Sequence, residues 1–95
     1  MRATARYLES IAVKITFKLF ASLAQYLPGD AVRNIVEIEV APDTSVHEII
    51  DRYHVPRPSA HLILINGLYV DPADRDRPLL QAGDALAIWP PVAGG

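Results

Sequence analysis

Residues 41–56 read APDTSVHEIIDRYHVP. Ser45 and Glu48 have the S-x-x-E spacing of a capping box: the Ser hydroxyl accepts from a free backbone N–H, and the Glu carboxylate reaches back to the Ser N–H. Val46, Ile49, Ile50 and Tyr53 then recur at i, i+3, i+4 and i+7. That spacing predicts one helix with a single apolar stripe, which needs a flat apolar surface to cover. Pro56 is expected to stop the helix, with Val55 already pushed out of helical geometry before it.

The surface to be covered is written on both sides of this segment. Upstream, AVKITFKLF places Val13, Ile15, Phe17 and Leu19 on one side and Lys14, Thr16 and Lys18 on the other. Strict alternation of this kind predicts a half-buried strand. ASLAQYLPGDAVRN has room for one or two helical turns before Pro28-Gly29-Asp30 breaks it. NIVEIEV alternates again, with Val36, Ile38 and Val40 against Glu37 and Glu39, and reads as a hairpin partner of the first strand.

Downstream, HLILINGLYV predicts a strand, a tight turn at Asn66-Gly67 and a short second strand. DPADRDRPLLQAGD is a polar loop expected to be anchored by Leu79 and Leu80, with Arg75 and Arg77 neutralising Asp71, Asp74 and Asp76. ALAIW is apolar at every position, as expected of a strand central in a sheet. Pro90 ends regular pairing, because proline has no N–H to give a ladder. The order is strand, strand, helix, strand, short strand, strand. It predicts an α+β roll with a mixed sheet packed on one main helix. A ubiquitin-like β-grasp is the simplest such architecture, and other α+β folds share the order.

With 95 residues, 51% of them apolar, the chain fits one domain with one modest core. The expected division is an N-terminal extension over 1–11, a folded domain over 12–89 and a flexible Gly-Gly tail over 90–95. There is no cysteine, which excludes disulfides and thiolate chemistry and suits a reducing, cytoplasmic setting. The net charge of −2 gives no reason to expect nucleic acid. Residues 1–34 hold five basic and two acidic side chains, and residues 35–95 hold four and nine. An ordinary solvated surface accounts for that imbalance, although the acidic part could also meet a basic partner. No apolar run approaches spanning length, so no membrane role is expected.

Enzyme chemistry finds little support. His47 and His54 stand seven apart, too far for one metal without a further element, and read as surface or capping residues, as does His61. No nucleophile elbow surrounds any serine, Ser45 being a cap. Asp71, Asp74 and Asp76 lack the glycine and distal glutamate of a calcium loop. Neither Asn66-Gly67 nor Gly83-Asp84 belongs to a phosphate-binding glycine loop.

What remains is the ending, IWPPVAGG, residues 88–95. From Trp89 to Gly95 an extended chain reaches about 20 Å. Pro90 and Pro91 stiffen the exit, Val92 and Ala93 are small, and Gly94 and Gly95 have no side chain, so the tail fits a narrow tunnel in another protein. Its tip is a carboxylate, which must be activated, for instance as an acyl-adenylate, before acyl chemistry. The chain has no ATP-binding motif, so an activating partner is implied.

IWPPVAGG, together with LFASL, LILING and AGDALAIWPP, resembles the MoaD/ThiS family of ubiquitin-like sulfur carriers over about residues 12–95. The aromatic, Pro-Pro-Val, small residue and Gly-Gly are most similar to the MoaD-type ending. The resemblance implies a β-grasp fold and a carrier that acts as the substrate or non-catalytic small subunit of a sulfurtransferase. Gly95 would take up the adenylate and then the sulfur as a thiocarboxylate, and Gly94 would give it clearance. It implies no bound cofactor; MgATP would be used by an E1-like adenylating enzyme. The other implied partners are a sulfur donor such as a cysteine desulfurase or rhodanese, and the large subunit of molybdopterin synthase or another sulfur acceptor. Phe20, Tyr69 and Trp89, with Pro90, Pro91 and Val92, would bind these partners. Packing at strand ends explains Phe20 and Trp89 equally well, while Tyr69 is expected at the surface. A ThiS-like carrier for thiamine thiazole, a protein modifier joined to lysines and a non-carrier interaction module are the alternatives.

Overall fold

A computed structural model describes residues 12–91. Five strands form one sheet: β1 (Val13–Leu19), β2 (Ile35–Val40), β3 (Leu62–Ile65), β4 (Leu68–Tyr69) and β5 (Ala85–Trp89). One α-helix, α1 (Val46–Arg52), lies between β2 and β3 in sequence. The strand order is β2-β1-β5-β3-β4. β1 and β5 run parallel at the centre and every other neighbouring pair is antiparallel, so the sheet is mixed. This is the β-grasp arrangement that the order of elements predicts.

The core lies between the sheet and α1. Ile15, Phe17 and Leu19 of β1, Leu86 and Ile88 of β5, and Ile63 of β3 are buried against Val46, Ile49 and Ile50. Tyr53 packs on this cluster, its ring 5.1 Å from that of Phe17. The alternation of β1 and β2 therefore does what period-two patterning requires, and the all-apolar β5 takes the central place. ASLAQY, residues 21–26, winds as a 3₁₀ helix and contributes Leu23 to the core. Asn66 and Gly67 turn β3 into β4 with φ of 53° and 83°, the left-handed pair that a two-residue hairpin turn demands.

The capping box is present in both directions: Ser45 Oγ accepts from the Glu48 N–H at 3.1 Å, and Glu48 Oε1 accepts from the Ser45 N–H at 2.8 Å. The other end of α1 corrects the sequence-based expectation. The helix is over before Pro56, because His54 adopts a left-handed φ of 64°. The Val55 N–H then donates to the Ile50 carbonyl and the His54 N–H to the Asp51 carbonyl. That bonding is a Schellman motif, with buried Val55 and Ile50 as its hydrophobic pair. His54 thus stands beyond the helix that it was expected to share with His47.

Two further corrections concern the polar loop. Arg75 does not neutralise its aspartates but is buried. Arg77 pairs with Asp74, Asp76 with His47 and Asp71 caps the short 3₁₀ turn Pro72–Asp74. Only Leu80 is a buried anchor; Leu79 is 37% exposed. No helix of the described residues is long and apolar enough to cross a membrane.

Candidate functional site: an apolar sheet face at the root of the C-terminal tail

The sheet face turned away from α1 divides into two halves. Across β1 and β2 the register pairs Lys14 with Glu39, Thr16 with Glu37 and Lys18 with Ile35. Opposite charges facing each other on an uncovered face are what solvent exposure favours. Across β5, β3 and β4 the same face is apolar. Leu62 stands beside Trp89, and Leu64 stands beside both Ala87 and Tyr69.

Phe20 and Trp89 come together at the top of this apolar half. Their rings stack with centroids 4.4 Å apart and planes 7° from parallel. The local cause is the parallel pairing of β1 and β5, which sets Leu19 opposite Ile88 and continues in a Phe20 N–H to Ile88 carbonyl bond of 3.1 Å. Both rings emerge on the outer side, because their neighbours Leu19 and Ile88 fill the core. The pair is neither core nor free surface: each residue is half-buried, with the other's ring stacked on it. Pro90, half-buried, and Pro91, exposed, leave the sheet directly beyond Trp89.

Tyr69 stands on the edge strand of the same face, 57% exposed, as expected. The structure therefore brings Phe20 and Trp89 into contact and puts Tyr69 on their face two strands away, with Leu62 and Leu64 between. Val92, Gly94 and Gly95 lie outside the described residues.

Leu62, 38% exposed, and Leu64 were not singled out from the sequence. The signal was available in parity: once Ile63 and Ile65 point to the core, Leu62 and Leu64 must point the other way.

Asp51 lies near the C-terminal end of α1, on the other side of the sheet from this face. It is held below the ordinary carboxylate range by its hydrogen bonds from Arg57, whose own pKa is raised by the same pairing. A cleft of about 340 Å³ lies between β4 and the following loop, with Leu68, Leu79, Asp74 and Asp84 in its lining. Asp74 is paired with Arg77, and Asp84 accepts from Asn66 and from the Gln81 N–H. These are turn-building contacts. Among the described residues no cluster of His, Asp or Glu is arranged to hold a metal ion. The arrangement can present an apolar surface to another protein.

Among the solved structures that this one resembles are three proteins. The Haloferax volcanii HVO 2177 protein superposes with a TM-score of 0.70 at 20% identity, covering 90% of this chain and 89% of that one. Small archaeal modifier protein 1 of H. volcanii gives 0.61 at 26% identity, covering 84% and 99%. Small archaeal modifier protein 1 of Methanosarcina acetivorans gives 0.59 at 22%, covering 88% and 98%. No curated protein matches the sequence. The family model named ThiS matches residues 17–95, from the middle of β1 through the Gly-Gly end. The chain therefore belongs to the ThiS family of ubiquitin-like proteins.

Proposed function

We propose that this chain carries sulfur on its C-terminal glycine and donates it in molybdopterin biosynthesis. One observation bears most of the weight. The Phe20–Trp89 stack sits on an open apolar face at the point where Pro90-Pro91 leads out to Gly94-Gly95. A grip for partner proteins and a slim acyl handle are thus joined end to end. The aromatic-Pro-Pro-Val ending supports the molybdopterin branch over the thiazole one.

Adenylation by an E1-like enzyme joins the Gly95 carboxylate to the α-phosphate of MgATP and releases pyrophosphate. The outer sulfur of a persulfide on a desulfurase or rhodanese then attacks the Gly95 carbonyl and displaces AMP, giving an acyl disulfide. A second thiol, supplied by the donor enzyme or a small-molecule thiol because this chain has no cysteine, attacks the donor's sulfur of that bond, so that the thiocarboxylate leaves and a disulfide forms. Gly94 gives the reacting carbonyl clearance on both sides. Phe20, Tyr69, Trp89, Pro90, Pro91 and Val92 bind the partner, and the molybdopterin synthase large subunit accepts the sulfur.

Intact mass tests the chemistry. Incubation with the E1-like enzyme, MgATP and a sulfur donor is expected to replace one oxygen by sulfur, and deleting Gly95 is expected to abolish the change. An unaltered mass with the cognate enzyme would overturn the reading. The likeness to two small archaeal modifier proteins favours a second reading, a modifier whose activated glycine is joined to lysines. Isopeptide adducts in cells, in place of a thiocarboxylate, would select it.

A further inference from the structure

Arg75 is the one buried charge of the described chain, 7% exposed, and its side chain meets no carboxylate there. Burying an uncompensated guanidinium is costly, so its contacts should show what the cost secures. Nε donates to the Val70 carbonyl at 3.1 Å, Nη1 to the Ala60 carbonyl at 3.3 Å and Nη2 to the His61 carbonyl at 3.2 Å. The guanidinium carbon also lies 5.9 Å from the centre of the Tyr69 ring, within cation–π range. The backbone carbonyl of the same residue accepts from the His47 N–H in the first turn of α1 at 3.0 Å.

The positions of these acceptors matter. Val70 directly follows Tyr69 at the end of β4, and its N–H bonds to the Ile63 carbonyl at 2.9 Å. Ala60 and His61 lead into Leu62 at the start of β3, and the His61 N–H bonds to the Trp89 carbonyl at 3.0 Å. One side chain thus ties the strand end that displays Tyr69 to the strand start that displays Leu62 and grips Trp89. β4 is two residues long and sits at the sheet edge, so it has little else to hold it. The rigid planar fork suits this task, because its donors span carbonyls flanking the ends of two strands; an ammonium is a point donor and does not.

We infer that Arg75 is a positioning residue for the open apolar face: it fixes Tyr69 and the Leu62–Trp89 edge relative to each other, and so sets affinity for the activating enzyme. The docking part of this inference rests on the carrier reading above. Arg75 touches no reacting group, so its loss acts on docking and leaves the chemistry at Gly95 alone.

Full-length Arg75→Met and Arg75→Lys, with Ile50→Val as a core control away from the face, test this in two arms. In the isolated chain, hydrogen exchange at the Val70 and His61 amides is expected to quicken about tenfold in Arg75→Met, the loss of one charge-assisted bond's worth of order, while the α1 amides keep their rates. Arg75→Lys is expected to fall between and covers the case in which Arg75→Met fails to fold. In pyrophosphate exchange with the E1-like enzyme, KM for the carrier is expected to rise about tenfold at unchanged kcat, whereas Ile50→Val leaves both alone. Uniform acceleration of exchange across the chain would reduce Arg75 to a general fold contact and overturn the inference, and so would an unchanged KM. If the wild-type chain is not activated, the carrier reading fails, and the hydrogen-exchange arm still decides whether Arg75 holds the face: acceleration confined to the Val70 and His61 amides supports it, and uniform or absent acceleration overturns it.

Discussion

The same strands build both faces of the sheet, and the two faces have different fates. Toward α1, Ile15, Phe17, Leu19, Ile63, Leu86 and Ile88 are all at 0% or 1% exposure, covered by the helix. Away from it, Leu62 and Tyr69 keep 38% and 57% of their surface in water, and Phe20 and Trp89 are half-buried and stacked on each other. Folding explains the first set outright, since burial of apolar area drives it. It does not explain the second. Nor is the open face apolar by default: its β1–β2 half carries Lys14, Glu39, Thr16 and Glu37 in register. The contrast within one face marks the β5–β3–β4 half as the surface that the proposed docking would use.

Two substitutions would break that contrast if it is wrong. Phe17→Ala empties a fully buried site and is expected to cost about 3–5 kcal/mol of unfolding free energy in chemical denaturation. Trp89→Ala is expected to cost only about 1 kcal/mol of stability, the scale of a stacked aromatic pair. On docking to the activating enzyme the order reverses. Trp89→Ala loses about 2 kcal/mol or more, the scale of an aromatic hot spot at the centre of an interface, and the loss is read as a rise in KM. A Trp89→Ala variant as unstable as Phe17→Ala, with unchanged KM, would make the open face a second small core.

The comparison also marks where sequence reading stops. Parity assigned every residue of β1 and β2 to its side, and the S-x-x-E spacing at Ser45 located the start of α1, because both signals are local and periodic. The end of α1 was misplaced because His54 takes a left-handed conformation that glycine or asparagine would have announced and histidine does not. Leu62 and Leu64 escaped notice for another reason: alternation tells which residues share a side, not whether another element covers it. Arg75 was least legible. Its acceptors are backbone carbonyls fifteen, fourteen and five residues away, and a carbonyl leaves no mark in a sequence.

The smallest effect is expected on the outer side of α1, remote from the open face. Arg57 grips Asp51 with both ends of its fork, Nε to Oδ1 at 3.2 Å and Nη2 to Oδ2 at 2.8 Å, closing the helix exit onto the following turn. Both side chains are about half exposed, so water and salt screen the pair. Arg57 stays protonated throughout, and its hydrogen bonds are the largest cause of the lowered pKa of Asp51. A carboxyl depressed by folding adds stability above its unfolded pKa, and that increment is lost as pH falls through the folded value. Wild type is therefore expected to melt slightly above Asp51→Asn at neutral pH, with the gap closing in acid below the ordinary carboxylate range. KM for the activating enzyme should not change in either condition, because the pair and the docking face lie on opposite sides of the molecule. A gap that widens in acid would reverse the sign assigned to the pair. A KM that follows it would mean that the helix side, and not only the open half-face, takes part in recognition.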